Sequence, residues 1–174
     1  SGTSASPGTA RPARSGERSA VRVRVLAIGG RPRSWVADAW EQYARRLPAA
    51  WRIELVEVAA GRRSARQPDA EVKAAEAEKI RGALRRDEQV VALDERGRLL
   101  DSEGFAGRLS GWFGGSRDIA FVIGGADGLD AAFLAAADFR WSLSPLTLPH
   151  EMVRAVLAEQ LYRASTIIAG HPYH

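Results

Sequence analysis

The chain has no cysteine. That excludes disulfides and every thiolate metal site, and it fits a reducing compartment. Histidine is scarce too: His150, His171 and His174 are the only three, all near one end. No carboxylate–histidine spacing accompanies them, so no metal is expected. Long apolar runs are also missing. Nothing approaches a membrane span, and no apolar signal segment follows the N-terminal arginines. A cytoplasmic protein with no membrane partner is therefore expected. What remains is the make-up of a soluble domain: 174 residues, 45% hydrophobic and 26% charged, enough for one core.

Charge is uneven along this chain of formal net charge +4. Residues 21–66 carry ten arginines against four acids, whereas residues 67–136 carry thirteen acids against nine bases. The basic excess thus lies early and is nearly all arginine, whose planar fork suits phosphate. GC-rich coding also favours arginine, so the excess does not by itself decide for a nucleic-acid partner.

Residues 1–20 are Ser, Gly, Ala, Pro and Arg without apolar periodicity, and are expected to be a disordered extension. From Val21 onward strands and helices alternate. Val21-Arg22-Val23-Arg24-Val25-Leu26-Ala27-Ile28 reads as a strand ended by Gly29-Gly30. Ser34 is expected to cap a helix to about Arg46, with Trp35, Ala39 and Tyr43 near one face. A second strand runs from Trp51 to Val58, and Gly61-Arg62-Arg63-Ser64-Ala65-Arg66-Gln67-Pro68 reads as a mobile basic loop. Asp69 opens a long charged helix. Gln89-Val90-Val91-Ala92-Leu93 is a short buried strand ending in Asp94-Glu95-Arg96-Gly97. Ser102 with Glu103 starts the next helix. Asp118 to Ile123 is a fourth strand, Asp130 caps an alanine-rich helix, Arg140 to Leu143 is a fifth strand, and Pro149 begins the last helix. Such alternation means an α/β fold with a mostly parallel sheet covered on both faces, in one domain over residues 21–174.

Ligands of such sheets bind at the carboxyl ends of strands. Three strand ends are chemically suggestive: Leu93-Asp94-Glu95-Arg96-Gly97, Gly124-Gly125-Ala126-Asp127-Gly128, and Leu143-Ser144-Pro145-Leu146-Thr147-Leu148. In the last, Pro145 and Pro149 stiffen a loop that runs into a helix at His150. A stiff loop with exposed backbone groups beside ionisable side chains suits a small polar cofactor. The glycine turn is Gly-Gly-x-x-Gly rather than a dinucleotide fingerprint, and no lysine follows to make a phosphate loop. Alone it reads equally as a tight turn. Along the last helix Val153, Val156, Leu157, Gln160, Leu161 and Ala164 make a core stripe. Arg154 and Arg163 lie off its centre, as solvent-facing charges or phosphate contacts.

Leu143 to His150, Arg154, Glu159-Gln160-Leu161-Tyr162-Arg163-Ala164 and Pro172-Tyr173-His174 closely resemble the bacterial ribosomal large-subunit methyltransferase H family, minimal members of the SPOUT class of knotted methyltransferases. The likeness extends back through Phe121 to Leu129, Leu93 to Gly97 with Ser102-Glu103, and Val25 to Gly29. Residues 1–20 are not part of the family pattern.

The resemblance implies a SPOUT-type α/β fold with a C-terminal trefoil knot, and a homodimer. It implies S-adenosyl-L-methionine as methyl donor and N3 of a pseudouridine in helix 69 of 23S rRNA, on the ribosome, as acceptor. Carried over by position, the donor pocket is Leu93, Gly124, Leu143, Ser144, Pro145, Leu146, Thr147 and Leu148. Candidates for removing the acceptor proton are His150, Tyr173 as tyrosinate, and His174. Arg154 and Arg163 are expected to stabilise the uracil anion or fix phosphate. Two other classes stay open on the residues themselves. One is a nucleotide-binding oxidoreductase or hydrolase using the glycine turn. The other is a non-catalytic RNA-binding assembly protein using the arginine-rich first third.

Overall fold

A computed structural model describes residues 21–173, so the expected extension over residues 1–20 and the terminal His174 lie outside the described residues. Five strands form one parallel sheet: β1 (Val23–Ile28), β2 (Glu54–Val58), β3 (Gln89–Leu99), β4 (Ile119–Ile123) and β5 (Phe139–Ser142), in the order β2-β1-β4-β3-β5. The helices are α1 (Ser34–Ala44), α2 (Asp69–Ala83), α3 (Ser102–Phe113), α4 (Ala131–Ala136) and α5 (His150–Ala169).

Period-two alternation sorts β1 between two cores. Val23, Val25 and Ala27 join Val91, Phe121 and Trp141 beneath α1, α3 and α5, supplied by Trp40, Phe105 and Leu157. Leu26 and Ile28 join Ala92 and Val122 beneath α2 and α4, supplied by Ile80 and Phe133. Arg24 shares that second parity and is buried at 4% exposure. Its Nη1 donates to both carboxylate oxygens of Glu88 at 2.8 and 3.0 Å, and Nη2 donates to the Ala83 carbonyl at 3.0 Å. It is therefore not part of the basic surface of the first third.

Several element ends differ from the sequence reading. Ser34 lies inside α1: Arg33 occupies the cap position without a side-chain bond. Val36 and Trp40 make the buried face, whereas Trp35 is 46% exposed. Asp101, not Ser102, caps α3 by accepting from Gly104 N at 2.7 Å. Ser102 is thereby free to donate to Gln160 Oε1 on α5 at 2.8 Å. Asp130 caps α4 as expected, accepting from Phe133 N at 3.0 Å.

The largest difference is β3. It extends through residues 94–97 to Leu99 instead of ending at Leu93. Trp141 of β5 is opposite Leu93 and again opposite Arg98, so the intervening residues leave the ladder and return to it. The return requires glycine. A Cβ on Gly97 would sit 2.8 Å from backbone atoms of Arg140 and Trp141, which cannot rotate away. Gly97→Ala is expected to cost about 1–3 kcal/mol as an overpacked contact. Urea unfolding of the variant measures it, and an unchanged midpoint would refute the close approach.

Candidate active site

Because all strands are parallel, their carboxyl ends share one edge. A cavity of about 580 Å³ lies there. Of the residues expected to hold a donor, Leu93, Gly124, Leu143, Ser144, Leu146, Thr147 and Leu148 line it, together with His150. Pro145 is exposed in the same loop but does not line the cavity. The loop is braced from within: buried Ser142 donates through Oγ to the Ser144 carbonyl at 2.9 Å, and Ser144 Oγ accepts from Leu146 N at 2.9 Å. That bracing leaves Leu146 72% exposed.

Charged residues that sequence reasoning did not assign also line the cavity: Lys73 from α2, Asp94 and Glu95 from the β3 excursion, Asp127 from the glycine turn and Arg140 from β5. Asp94 accepts from Arg140 Nη2 at 2.6 Å and Nε at 3.2 Å. Glu95 Oε2 accepts from Thr147 Oγ1 at 3.2 Å. Both bonds tie the β3 excursion to the 143–148 side of the cavity. Trp141 contributes a buried indole N–H without an acceptor among the described residues. The Leu93–Gly97 motif pointed to this strand end, but nothing in the sequence pointed to Lys73.

The glycine turn closes on itself. Gly128 has φ +84°, and its N–H donates to the Gly125 carbonyl at 3.0 Å. A Cβ on Gly124 would meet Gly128 backbone atoms at 2.8 and 3.0 Å. Glycine at 124 is thus demanded by the turn, so a substitution there tests folding before it tests ligand binding.

Arg154 is neither solvent-facing nor in the cavity wall. It is 2% exposed beneath the end of β1. Its Nη2 approaches the Gly30 carbonyl at 3.4 Å and Nη1 lies 3.6 Å from Glu57, while Nε has no partner among the described residues. Burial holds its pKa below the ordinary arginine value, opposed by Glu57 and Glu151. A Cβ on Gly29, at φ +124°, would lie 3.3 Å from Arg154 Nη2 and 4.0 Å from His150 Nε2. Arg154 therefore underpins the turn beside His150.

Arg163 and Tyr173 lie at the other end of α5. Arg163 donates to Glu159 Oε1 through Nη2 at 2.6 Å and Nε at 2.9 Å, and this bond raises its pKa. Its guanidinium lies 4.6 Å from the Tyr173 ring centre, and Tyr173 meets Tyr162 edge-on at 4.7 Å. Tyr173 is pushed above the ordinary tyrosine value by burial and by a hydrogen bond with Tyr43, against the pull of Arg163. A tyrosinate is thus disfavoured, and Tyr173 does not line the cavity of its own chain.

A family model described as predicted SPOUT methyltransferase matches residues 21–174, and the chain belongs to that family. Ribosomal RNA large subunit methyltransferase H of Alkalilimnicola ehrlichii is 47% identical over 154 residues, covering 88% of this chain and 99% of that one. The proteins of the same name from Paraburkholderia xenovorans and Bordetella petrii match at the same identity and coverage. Within the SPOUT family the chain thus groups with the large subunit methyltransferase H proteins. Among solved structures, a probable methylase family protein from Haemophilus influenzae is similar with TM-score 0.53 at 13% identity, over 85% of this chain and 68% of that one. A probable methyltransferase from Bordetella pertussis is similar with TM-score 0.53 at 18% identity, over 84% and 95%. At such identities the likeness concerns the fold.

The raised pKa of Tyr173 has a definite sign. The neutral phenol is favoured in the folded chain, so its stabilising effect is complete below the ordinary value of 10.0 and is lost as pH rises through the raised value. Tyr173→Phe is therefore expected to leave the pH–rate profile of methyl transfer unshifted around neutrality. A limb that moves with this substitution would show that the phenol titrates during turnover.

Proposed function

We propose that the protein transfers the methyl group of S-adenosylmethionine to N3 of a pseudouridine in helix 69 of 23S rRNA, on the ribosome in the cytoplasm, as a knotted homodimer. The cavity where the three motif-bearing strand ends converge carries this reading. Its volume of about 580 Å³ suits a nucleoside-sized ligand. Apolar Leu93 and Leu146 suit the faces of an adenine, the braced loop supplies backbone polar groups, and charged side chains stand on both sides for a zwitterionic tail. The 47% identical relatives named as ribosomal RNA large subunit methyltransferases support an rRNA acceptor.

When bound, S-adenosylmethionine supplies a methyl group on a positively charged sulfur that departs as a neutral thioether. The chain's own task is to hold donor and acceptor in line. Leu143, Ser144, Leu146, Thr147 and Leu148 fix the donor from one side, and Gly124 shapes the turn opposite. The acceptor N3–H must lose its proton, and the half-buried position of His150 on the cavity wall supports it as the group that accepts it. Arg154 orients the turn beside His150. Tyr173 packs on Tyr162, which lies about 18 Å along α5 from His150, and this separates Tyr173 from the cavity of its own chain. In the proposed dimer the partner's Tyr173 and His174 complete the acceptor side of the site.

Exposed arginines gather at the same sheet edge: Arg31 and Arg33 after β1, Arg62, Arg63 and Arg66 after β2, Arg96 and Arg98 in β3. Their exposure and shared edge support a role in following rRNA phosphate.

Radiolabelled donor, offered to ribosomes lacking the modification, is expected to label helix 69 only where the uridine has already been isomerised. Label on the unisomerised uridine, or none on the pseudouridine, would overturn the acceptor assignment. Arg62→Glu with Arg66→Glu is expected to lower the salt dependence of ribosome binding by about one logarithmic unit per lost phosphate contact; an unaltered slope removes the loop from the interface. Deleting Tyr173 and His174 is expected to leave donor binding intact. Single-turnover methyl transfer on saturating ribosomes should fall about a hundredfold, and wild-type turnover would remove the tail from the site.

A further inference from the structure

We infer that Asp127 and Lys73 form the subsite for the amino-acid end of the donor, and that Arg63 occupies Asp127 until the donor arrives. This rests on the donor reading of the cavity given above.

A sulfonium nucleoside of this kind ends in an α-amino acid, a cation and an anion on one carbon. A cavity that binds it needs a carboxylate and a cation close together and uncommitted to the frame. Three carboxylates line the cavity. Asp94 is tied to Arg140, and Glu95 to Thr147, in bonds that brace the walls. Asp127 belongs instead to the glycine turn, and its partner Arg63 comes from the loop after β2. Lys73, on α2, lines the same cavity.

The Arg63–Asp127 contact has the features of an exchangeable pair. Nη2 lies 2.5 Å from Asp127 Oδ2, yet this oxygen accepts no properly directed hydrogen bond from the described residues. The Arg63 side chain is 49% exposed and that of Asp127 24%. Oδ2 is buried while the Arg63 end of the pair is half-exposed and poorly directed, so the contact is weak for its length and a better-directed cation can replace Arg63. An α-ammonium group is such a cation, with three rotatable donors.

The loop that carries Arg63 is anchored at its base. Buried Glu76 of α2 accepts from Gly61 N through Oε1 at 3.0 Å. A Cβ on Gly125 would lie 3.4 Å from Glu76 Oε2, so the same carboxylate packs against the glycine turn. Glu76 thereby holds the Arg63 loop beside Asp127. Lys73 lies one helical turn before Glu76, on the same side of α2. The arrangement couples donor to RNA: a phosphate that draws Arg63 away leaves Asp127 free for the ammonium group.

Two ligands separate this subsite from the rest of the cavity. S-adenosylhomocysteine carries the amino-acid end, and 5′-methylthioadenosine keeps the nucleoside but lacks that end. By titration calorimetry on the full chain, Asp127→Asn and Lys73→Met are each expected to weaken S-adenosylhomocysteine about tenfold or more, as the loss of a charge-assisted bond predicts. Neither should change 5′-methylthioadenosine by more than about twofold, within the range left by a remote surface charge. Arg63→Met is expected to strengthen S-adenosylhomocysteine severalfold, a gain that damage to the fold cannot produce. The inference is overturned if both ligands weaken alike, if either Asp127→Asn or Lys73→Met is without effect, or if Arg63→Met weakens binding. If the wild-type chain binds neither nucleoside, the donor reading itself fails.

Discussion

The double contact of β3 with Trp141 sets the shape of everything above the sheet. Trp141 is held from the core side by stacking on Phe105 at 4.1 Å and by a tilted contact with Phe121 at 6.2 Å. From the rim it is held by the returning Gly97 backbone. With β5 clamped on both sides, Ser142 is buried in a fixed place and its hydroxyl can start the bracing of residues 143–148. The same excursion that brings Gly97 back carries Asp94 and Glu95 out over the cavity, where Arg140 and Thr147 secure them. One backbone approach thus positions two of the three strand ends that make the site, and side chains alone would leave them loose.

Much of this was legible in the sequence, and the exceptions share a cause. The alternation in β1, the cap at Asp130 and the Pro149 start of α5 are local features, and local physics decides them. The length of β3 is not local. Asp94-Glu95-Arg96-Gly97 has the composition of a turn, and the strand continues past it because Arg98 and Leu99 pair again with Trp141 and Ser142 of β5. The buried arginines are a subtler case. Arg24 has the parity of Leu26 and Ile28, and Arg154 lies three and seven residues before Leu157 and Leu161. Both positions fall on core faces by periodicity alone. Their charge argued for the surface, but periodicity decided where each side chain lies. Lys73 could not have been singled out, because its place depends on where α2 crosses the sheet edge.

The two buried guanidiniums also differ in a way that bears on function. Arg24 has a bidentate carboxylate and a carbonyl, so most of its desolvation is offset. Arg154 has one long hydrogen bond, an ion pair at 3.6 Å and, among the described residues, no partner for Nε. Incomplete satisfaction of a buried charge is destabilising, and it is found here beside His150 and the glycine pair that ends β1. Folds tolerate such defects where a site needs a particular arrangement of backbone and charge. The burial that lowers the Arg154 pKa is therefore a sign of how tightly the base of the His150 helix is packed, rather than of a group waiting to titrate.

The C-terminal segment obeys a different constraint. Within one chain Tyr173 belongs to an aromatic cluster with Tyr162, and Tyr162 in turn contacts Tyr43 at 6.1 Å, with Arg46 and Arg163 over the rings. These contacts secure the tail at the end of α5 remote from His150. Tyr162 lies twelve residues after His150 on α5, and the buried face of Leu157, Leu161 and Ala164 keeps this helix on the sheet. No rotation of a few side chains can bring Tyr173 to the cavity of its own chain, because α5 would have to leave the core first. A tail that takes part in methyl transfer must therefore serve the cavity of a second copy. Ile167 and Ile168 beside that tail are exposed and add apolar surface to it.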